Sequence, residues 1–495
     1  MHKIGFDNDL YIRKQSQAIR ERISQFGNKL YLEFGGKLFD DLHASRVLPG
    51  FDENAKIKLL QKLKDKCEII FCISASDIER NKIRADYGIT YGAEILRLID
   101  AMTSMKIKVN SIVITKFEEQ PSAIAYKNKL EARGIKVYMH GLTKGYPTDV
   151  DTIVSDEGYG KNPYIETTRP LVVVNAPGPN SGKLATCLGQ LYHEYKRGVK
   201  AGYAKFETFP IWNLPLKHPV NIAYEAATAD IKDVNMIDYF HLQAYGVQTV
   251  NYNRDIEVFP VVRSILSKLS ANELDYKSPT DMGVNMAGYC IFDDEACQEA
   301  SKQEVIRRYY KSCCDNKNGR VDLATVKRIE LLMGELGIKP ANRAVVQPAL
   351  DKEAASGEPA CAIELKDGTI VTGRDTKLMS APASTILNAL KSLAKLPDRL
   401  KLIAPQIVKP IMDLKQQFLH EKNYKLTLNE VLVALSICAA TNEAAAMCVD
   451  CINDLAGCEM HSTRMLLKSD EDALRKIKVN LTSEPKFLSD QLCDF

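Results

Sequence analysis

The sequence predicts an α/β protein with a large, mostly parallel sheet region, a helical connector and a smaller C-terminal α/β domain. Three observations predict it. Short apolar runs alternate with amphipathic helical patterns through the first half. A valine-rich run, Leu171 to Asn175, passes through a glycine-bracketed, P-loop-like turn into a helix. An Asp-Gly turn between two β-type runs opens the last part of the chain.

In order, strands are expected at Lys29 to Phe34, Glu68 to Ile73, Val109 to Thr115, Lys136 to Met139, Thr152 to Val154, Leu171 to Asn175, Gly202 to Phe206 and Asn221 to Ala223. Between them, helical spacing of apolar residues marks Asn8 to Phe26, Ala55 to Leu63, Tyr91 to Met105, Ala123 to Arg133 and Lys183 to Tyr195. The sheet region spans 1–285, either as one large sheet or as two lobes with a break near 160 at Gly158-Tyr159-Gly160-Lys161-Asn162-Pro163. A connector, 286–345, turns helical and charged from about Gln303 to Leu336 and is punctuated by Lys339-Pro340. The C-terminal domain, 346–495, opens with a hairpin, Ala360 to Leu365 and Thr369 to Thr372, around Lys366-Asp367-Gly368; helices follow at Ala383 to Leu393 and Leu428 to Ala444.

The 495 residues imply about two to four domains. A hydrophobic content of 45% with 26% charged residues is that of an ordinary globular chain, and the net charge of +3 gives no footprint for nucleic acid. Met1 to Asp7 lacks the apolar core of a signal peptide, and the longest greasy stretch, Val431 to Ala440, is far short of the roughly 20 residues that cross a bilayer. Thirteen cysteines, several inside apolar runs as Cys72 is, fit buried free thiols in a reducing compartment. A cytoplasmic protein without nucleic-acid or membrane partners is therefore expected, and its size and helical connector point to a homo-oligomer.

Leu184, Leu188, Leu191 and Tyr195 line one helix face, which puts Lys183 in a first turn. Unpaired N–H groups and the positive end of the helix dipole attract an anion there, and Gly178 and Gly182 let the backbone bend close to it. Gly178, Asn180, Ser181, Gly182 and Lys183 are the candidate binding residues. Against the P-loop pattern G-x-x-x-x-G-K-[ST], Pro177 stands at the first glycine and Leu184 at the magnesium-binding hydroxyl, with Thr186 two positions too late. This reads as a degenerate phosphate loop for a nucleoside triphosphate or another phosphorylated small molecule, without the standard magnesium ligand. The alternative is a tight strand-to-helix turn with an exposed lysine.

Ligands in open α/β sheets bind at the carboxyl ends of strands. Glu33-Phe34-Gly35-Gly36-Lys37 is such an end, and Gly36 and Lys37, with His43 and Arg46 nearby, form either a second phosphate contact or a turn with a solvated charge. Glu207, beyond the Gly202 to Phe206 strand, is a candidate general base or metal ligand; the alternative pairs it with Lys205 on the same side of the strand. His218 is a candidate proton carrier or the partner of a local backbone group, and Arg254 a candidate anion clamp. Cys448, Cys451, Cys458 and His461 have ligand-like spacing, but Ala444 to Ile452 reads as a buried helix, so they are taken as structural and no metal site is assigned.

Tyr31-Leu32-Glu33-Phe34-Gly35-Gly36-Lys37-Leu38-Phe39-Asp40-Asp41 and His43-Ala44-Ser45-Arg46-Val47-Leu48-Pro49-Gly50-Phe51 are long, unusual strings. So are Lys205 to Trp212, Lys217 to Asn221, Tyr252 to Asp255 and Gly457 to Ser462. With them the chain resembles, nearly end to end, the bacterial family catalogued as domain of unknown function 1846. That resemblance carries no established activity. Where relatives are expected to read Gly-Pro-Gly-Ser-Gly-Lys, this chain has Asn180, a residue that tolerates left-handed backbone angles. The last domain is similar to the cytidine-deaminase fold, with a hairpin, the Ser380 to Ser384 loop and a helix; the His-x-Glu or Cys-x-Glu ligands are missing, and Met447 replaces the proline before Cys448 and Cys451.

The function these readings favour is a phosphotransferase- or ligase-like enzyme, with Lys183 neutralising charge, Arg254 clamping the anion, and Glu207 or His218 handling protons. Its alternatives are a non-catalytic nucleotide sensor and a metabolic enzyme that binds a simple organic phosphate.

Overall fold

The computed structural model describes residues 3–84, 87–270 and 276–489. The chain falls into two compact units, one made of Ile4–Glu225 with Lys232–Gln298, the other running from Glu299 onward with Ala226–Ile231.

The main sheet of the first unit has seven strands: β1 (Leu30–Phe34), β2 (Cys67–Ser74), β3 (Lys108–Thr115), β4 (Val137–Met139), β5 (Leu171–Asn175), β6 (Gly202–Phe206) and β7 (Gly283–Val284). Their order is β7-β6-β1-β5-β2-β3-β4, and every neighbouring pair is parallel. Parallel strands are covered on both faces and so read as continuous apolar runs; every residue of β1, β2 and β5 is buried. Each buried valine of β5 contributes about 1.5–3 kcal/mol.

From β1 to β2, β3 and β4 the chain moves toward one edge of the sheet, and from β4 back through β5, β6 and β7 toward the other. Right-handed crossovers then place helices on both faces, giving a doubly wound sheet. Connections diverge at two neighbouring pairs, β6 with β1 and β5 with β2, and at such points crevices open beyond the carboxyl ends.

Two expected strands are helices. Thr152 to Val154 belongs to Val150–Ile153 and its cap, where the Asp149 carboxylate accepts the Thr152 N–H at 3.0 Å. Asn221 to Ala223 lies in Pro219–Ala227, which begins on a proline suited to a first helical turn. The Asn221 side chain there bonds both backbone groups of Ile211, at 2.8 and 3.1 Å. Strand β7, two residues long, carries no pattern of its own.

In the second unit β8 (Ala360–Glu364), β9 (Ile370–Arg374), β10 (Glu459–Ser462) and β11 (Asn480–Ser483) form a sheet of order β9-β8-β10-β11. Strand β8 is antiparallel to both its neighbours, and β10 and β11 are parallel. The Ala381–Leu393 helix lies close on the hairpin: a Cβ at Gly373 would stand 2.5 Å from the Thr385 nitrogen. The region read as one helix from Leu428 to Ala444 is two, Leu428–Ala439 and Glu443–Asp450, because Asn442 caps the second by accepting the Ala444 N–H at 3.1 Å. The expected helical stretch after Gln303 is likewise two helices, Asp294–Lys317 and Leu323–Glu335.

Cys448 is packed in the apolar core of this unit, while His461 on β10 shares a hydrogen bond of 2.9 Å with Thr482. Among the described residues no helix is long and apolar enough to cross a membrane.

Candidate functional site

After β5 the backbone turns through Asn180 at φ +58° and Gly182 at φ +80°, left-handed values that asparagine and glycine tolerate. The turn is tightly held. The Ser181 hydroxyl donates to the Gly178 carbonyl at 2.8 Å, and Thr115, ending β3, donates to the Ser181 carbonyl at 2.9 Å. A Cβ at Gly178 would lie 2.3 Å from the Tyr91 hydroxyl, and one at Gly182 would lie 2.9 Å from the Thr115 side chain. The helix that follows, Lys183–Lys196, has no side-chain cap, so its leading N–H groups have no side-chain acceptor.

Lys183 does not point to bulk solvent. Its side chain is 15% exposed, and Nζ lies 3.9 Å from the Glu33 carboxylate at the end of β1. Glu33 stands in register with Val174 of β5 and Lys205 of β6. Residues in register on parallel strands share a face, so Glu33 and Lys205 lie side by side on β1 and β6, and Lys183, which reaches Glu33 from the first turn of the helix after β5, completes a row of three charged groups. The Tyr203 hydroxyl donates to Glu33 at 2.9 Å. On the other face Phe34 and Phe206 stack with ring centroids 4.0 Å apart.

At the far end of the row Lys205 Nζ is 2.7 Å from Glu207 and also bonds Asp255 and the Tyr252 hydroxyl, which in turn donates to Glu207. Glu207 and Tyr252 are buried, and Lys205 and Asp255 are mostly so. Burial pushes the Glu207 carboxyl up to about 7 against the pull of Lys205. Burial alone would lower Lys205, but Asp255, Glu207 and Glu33 together hold it well above the ordinary lysine value. Three carboxylates, Glu33, Glu207 and Asp255, thus face two ammonium groups, Lys183 and Lys205. A proton resident on Glu207 near neutral pH relieves that excess of negative charge.

The expected pairing of Lys205 with Glu207 is present, and it belongs to this larger network. Other expected residues are engaged elsewhere. His218 lies 3.0 Å from Asp294 and accepts the Val220 N–H at 3.3 Å. Arg254 forks onto Asp233 at 2.6 and 2.7 Å, with its guanidinium carbon 5.6 Å from the Tyr252 ring centroid. Beside Gly36, at φ +70°, stands the buried Lys56, whose Nζ would be 2.8 Å from a Cβ there and pairs with Asp41 at 2.8 Å; Lys37 is exposed.

Sequence reasoning named Glu33 only as part of a loop, and it missed Tyr203, Asp255 and Lys56 as partners. Period-two spacing puts Tyr31 and Glu33 on one face of β1, a signal that could have marked Glu33. Nothing in the sequence announces that β1 lies between β5 and β6.

A doubly wound α/β unit with an ionic row at the carboxyl ends of β5, β1 and β6, followed by a smaller four-stranded unit, is the class of protein that the fold and site define. The chain belongs to the family described as domain of unknown function DUF1846, whose N-terminal model matches residues 4–337 and whose C-terminal model matches residues 341–493. It is 58% identical over 498 residues to a UPF0371 protein of Clostridium botulinum (strain Alaska E43 / Type E3), with 99% of each chain covered. A UPF0371 protein of Clostridium tetani (strain Massachusetts / E88) is 57% identical over the same share.

Proposed function

We propose that this protein is an enzyme of phosphotransferase or ligase type that holds a phosphorylated small molecule, a nucleotide in the first instance, on the Gly178 to Lys183 turn. Glu207 serves as its general acid and base. The observation that carries this reading is the row itself: Lys183 is directed inward to Glu33, and from there charged groups lead without interruption to a carboxyl poised at about 7. A group titrating there can both take and give a proton at neutral pH. The left-handed turn and the uncapped helix supply amides for an anion, and Lys183 supplies charge. Arg254, already held by Asp233, orients Tyr252 in this reading.

One observation favours a second reading, a non-catalytic sensor of nucleotides. Leu184 occupies the place of the magnesium-binding hydroxyl, and phosphoryl transfer ordinarily depends on a fixed metal ion. In the second unit, the hairpin and the Ala381–Leu393 helix support a deaminase-like framework without zinc ligands, and no catalytic step is assigned to it.

Release or transfer of phosphate from nucleoside triphosphates, followed from pH 5 to 9 for wild type, Lys183→Ala and Glu207→Gln, decides between the readings. An enzyme shows turnover in the wild type with an inflection near pH 7 that Glu207→Gln removes. Tight binding with no turnover by the wild type would end the catalytic reading and leave the sensor.

A further inference from the structure

The turn has a second cationic neighbour, on the side away from Glu33. Beyond β2 the chain enters the short helix Ala75–Glu79 and then a small hairpin, Ile83–Arg84 with Ile89–Thr90, that delivers Lys82 and Tyr91 side by side. The Tyr91 N–H donates to the Lys82 carbonyl at 2.8 Å, which fixes the pair. The Tyr91 ring passes beneath the phosphate-loop turn, its hydroxyl 2.3 Å from where a Gly178 Cβ would stand; only glycine leaves room for it. The Lys82 ammonium lies 5.1 Å from the Tyr91 ring centroid and 3.4 Å from Asp77. Its side chain is 44% exposed, so the charge can swing onto a ligand at little cost.

Lys82 therefore stands at the crevice between β5 and β2, and Lys183 leans toward the pair β6 and β1. Each ammonium has one carboxylate nearby, Asp77 or Glu33, so neither alone offers a full uncompensated charge to an anion. A ligand that spans the turn and meets both lysines gains from both. Resting on the anion reading given above, we propose that Lys82, supported by Tyr91, is a specificity residue that makes this a site for two linked phosphoryl groups, a diphosphate, in preference to a monophosphate or a carboxylate.

Isothermal titration of the full chain with inorganic pyrophosphate, ADP, orthophosphate and AMP tests it, using wild type, Lys82→Gln and Lys183→Ala. The expected result is that Lys82→Gln weakens pyrophosphate and ADP by about tenfold or more and the two monophosphates by less than about twofold, while Lys183→Ala weakens all four. ADP binding without pyrophosphate binding would assign the diphosphate to a nucleotide, and binding of both to the diphosphate alone; either supports the proposal if the Lys82 selectivity holds. Equal loss for mono- and diphosphates, or no loss for either, in a Lys82→Gln protein with an unchanged unfolding midpoint overturns it and leaves the anion reading standing. If the wild type binds none of the four, the anion reading falls and this inference with it.

Discussion

Replacing Glu207 with glutamine keeps the shape of the side chain and removes its titration. In the folded protein the carboxyl is held up to about 7, against an ordinary value of 4.5 in the unfolded chain. The folded state thus binds the proton more tightly. Its contribution is fully present below pH 4.5 and is lost as the pH rises through about 7. With about 1.4 kcal/mol per pKa unit, the wild type should lose on the order of 2.5 kcal/mol between pH 5 and pH 8 that the Glu207→Gln protein does not lose. The single tryptophan, Trp212, belongs to the unit that carries the site and packs where a Gly283 Cβ would come within 2.3 Å of its ring. Its fluorescence during urea unfolding therefore reports that unit alone. Measured at pH 5, 6, 7 and 8, the gap between the two proteins should change steadily with pH. A gap that stays constant over that range would refute the assignment of the proton to Glu207.

Gly182→Ala places a Cβ against Thr115 at φ +80° and should cost about 1–3 kcal/mol, more than Gly198→Ala, where φ is +73° but nothing lies within 4 Å; the same fluorescence assay compares them. In the second unit the buried Arg343 and Arg307 share Glu459, so Glu459→Ala leaves Arg307 with Glu304 and Arg343 with Thr482 and the Met460 and Asn480 carbonyls; it should destabilise by roughly 1–3 kcal/mol, seen as faster amide exchange in β10 and β11. Glu68 behaves opposite to Glu207. Burial opposes its charge, but the N–H groups of Arg169 and Thr168 with Lys108 and Asn110 outweigh it and hold the carboxyl below the usual range. Its contribution is present above pH 4.5 and lost as the pH falls, so Glu68→Gln should flatten the acid side of the stability curve.

Strands β1, β2, β3, β5 and β6 were legible because buried parallel strands are written as unbroken apolar runs, Cys67 to Ser74 being the longest fully buried one. Where the reading failed, a cap outweighed composition. The β-branched Thr152, Ile153 and Val154 fall in and after a helix started by Asp149, and Asn221 spends its amide on Ile211 inside a helix opened by Pro219. The turn at Gly178 to Lys183 was legible as a local signal of glycine, polar residues and the onset of helical spacing. Its surroundings were not. Glu33 meets Lys183, and Tyr91 meets Gly178, only because the sheet order brings β1 beside β5 and because the Tyr91–Ser104 helix, between β2 and β3 in the chain, starts against the turn after β5; such long-range placements leave no periodic trace in the chain. Lys56 filling the space at Gly36 is a further case, since nothing local distinguishes it from a solvated helical lysine.

The most direct test of the central claim is thermal unfolding of wild type and Lys183→Ala against nucleotides and sugar phosphates, with and without magnesium. A ligand held by the turn and its lysine should stabilise the wild type by about 2.7 kcal/mol at a hundred times its dissociation constant, and the Lys183→Ala protein by far less. No shift with any of these ligands, or the same shift in both proteins, would contradict the account.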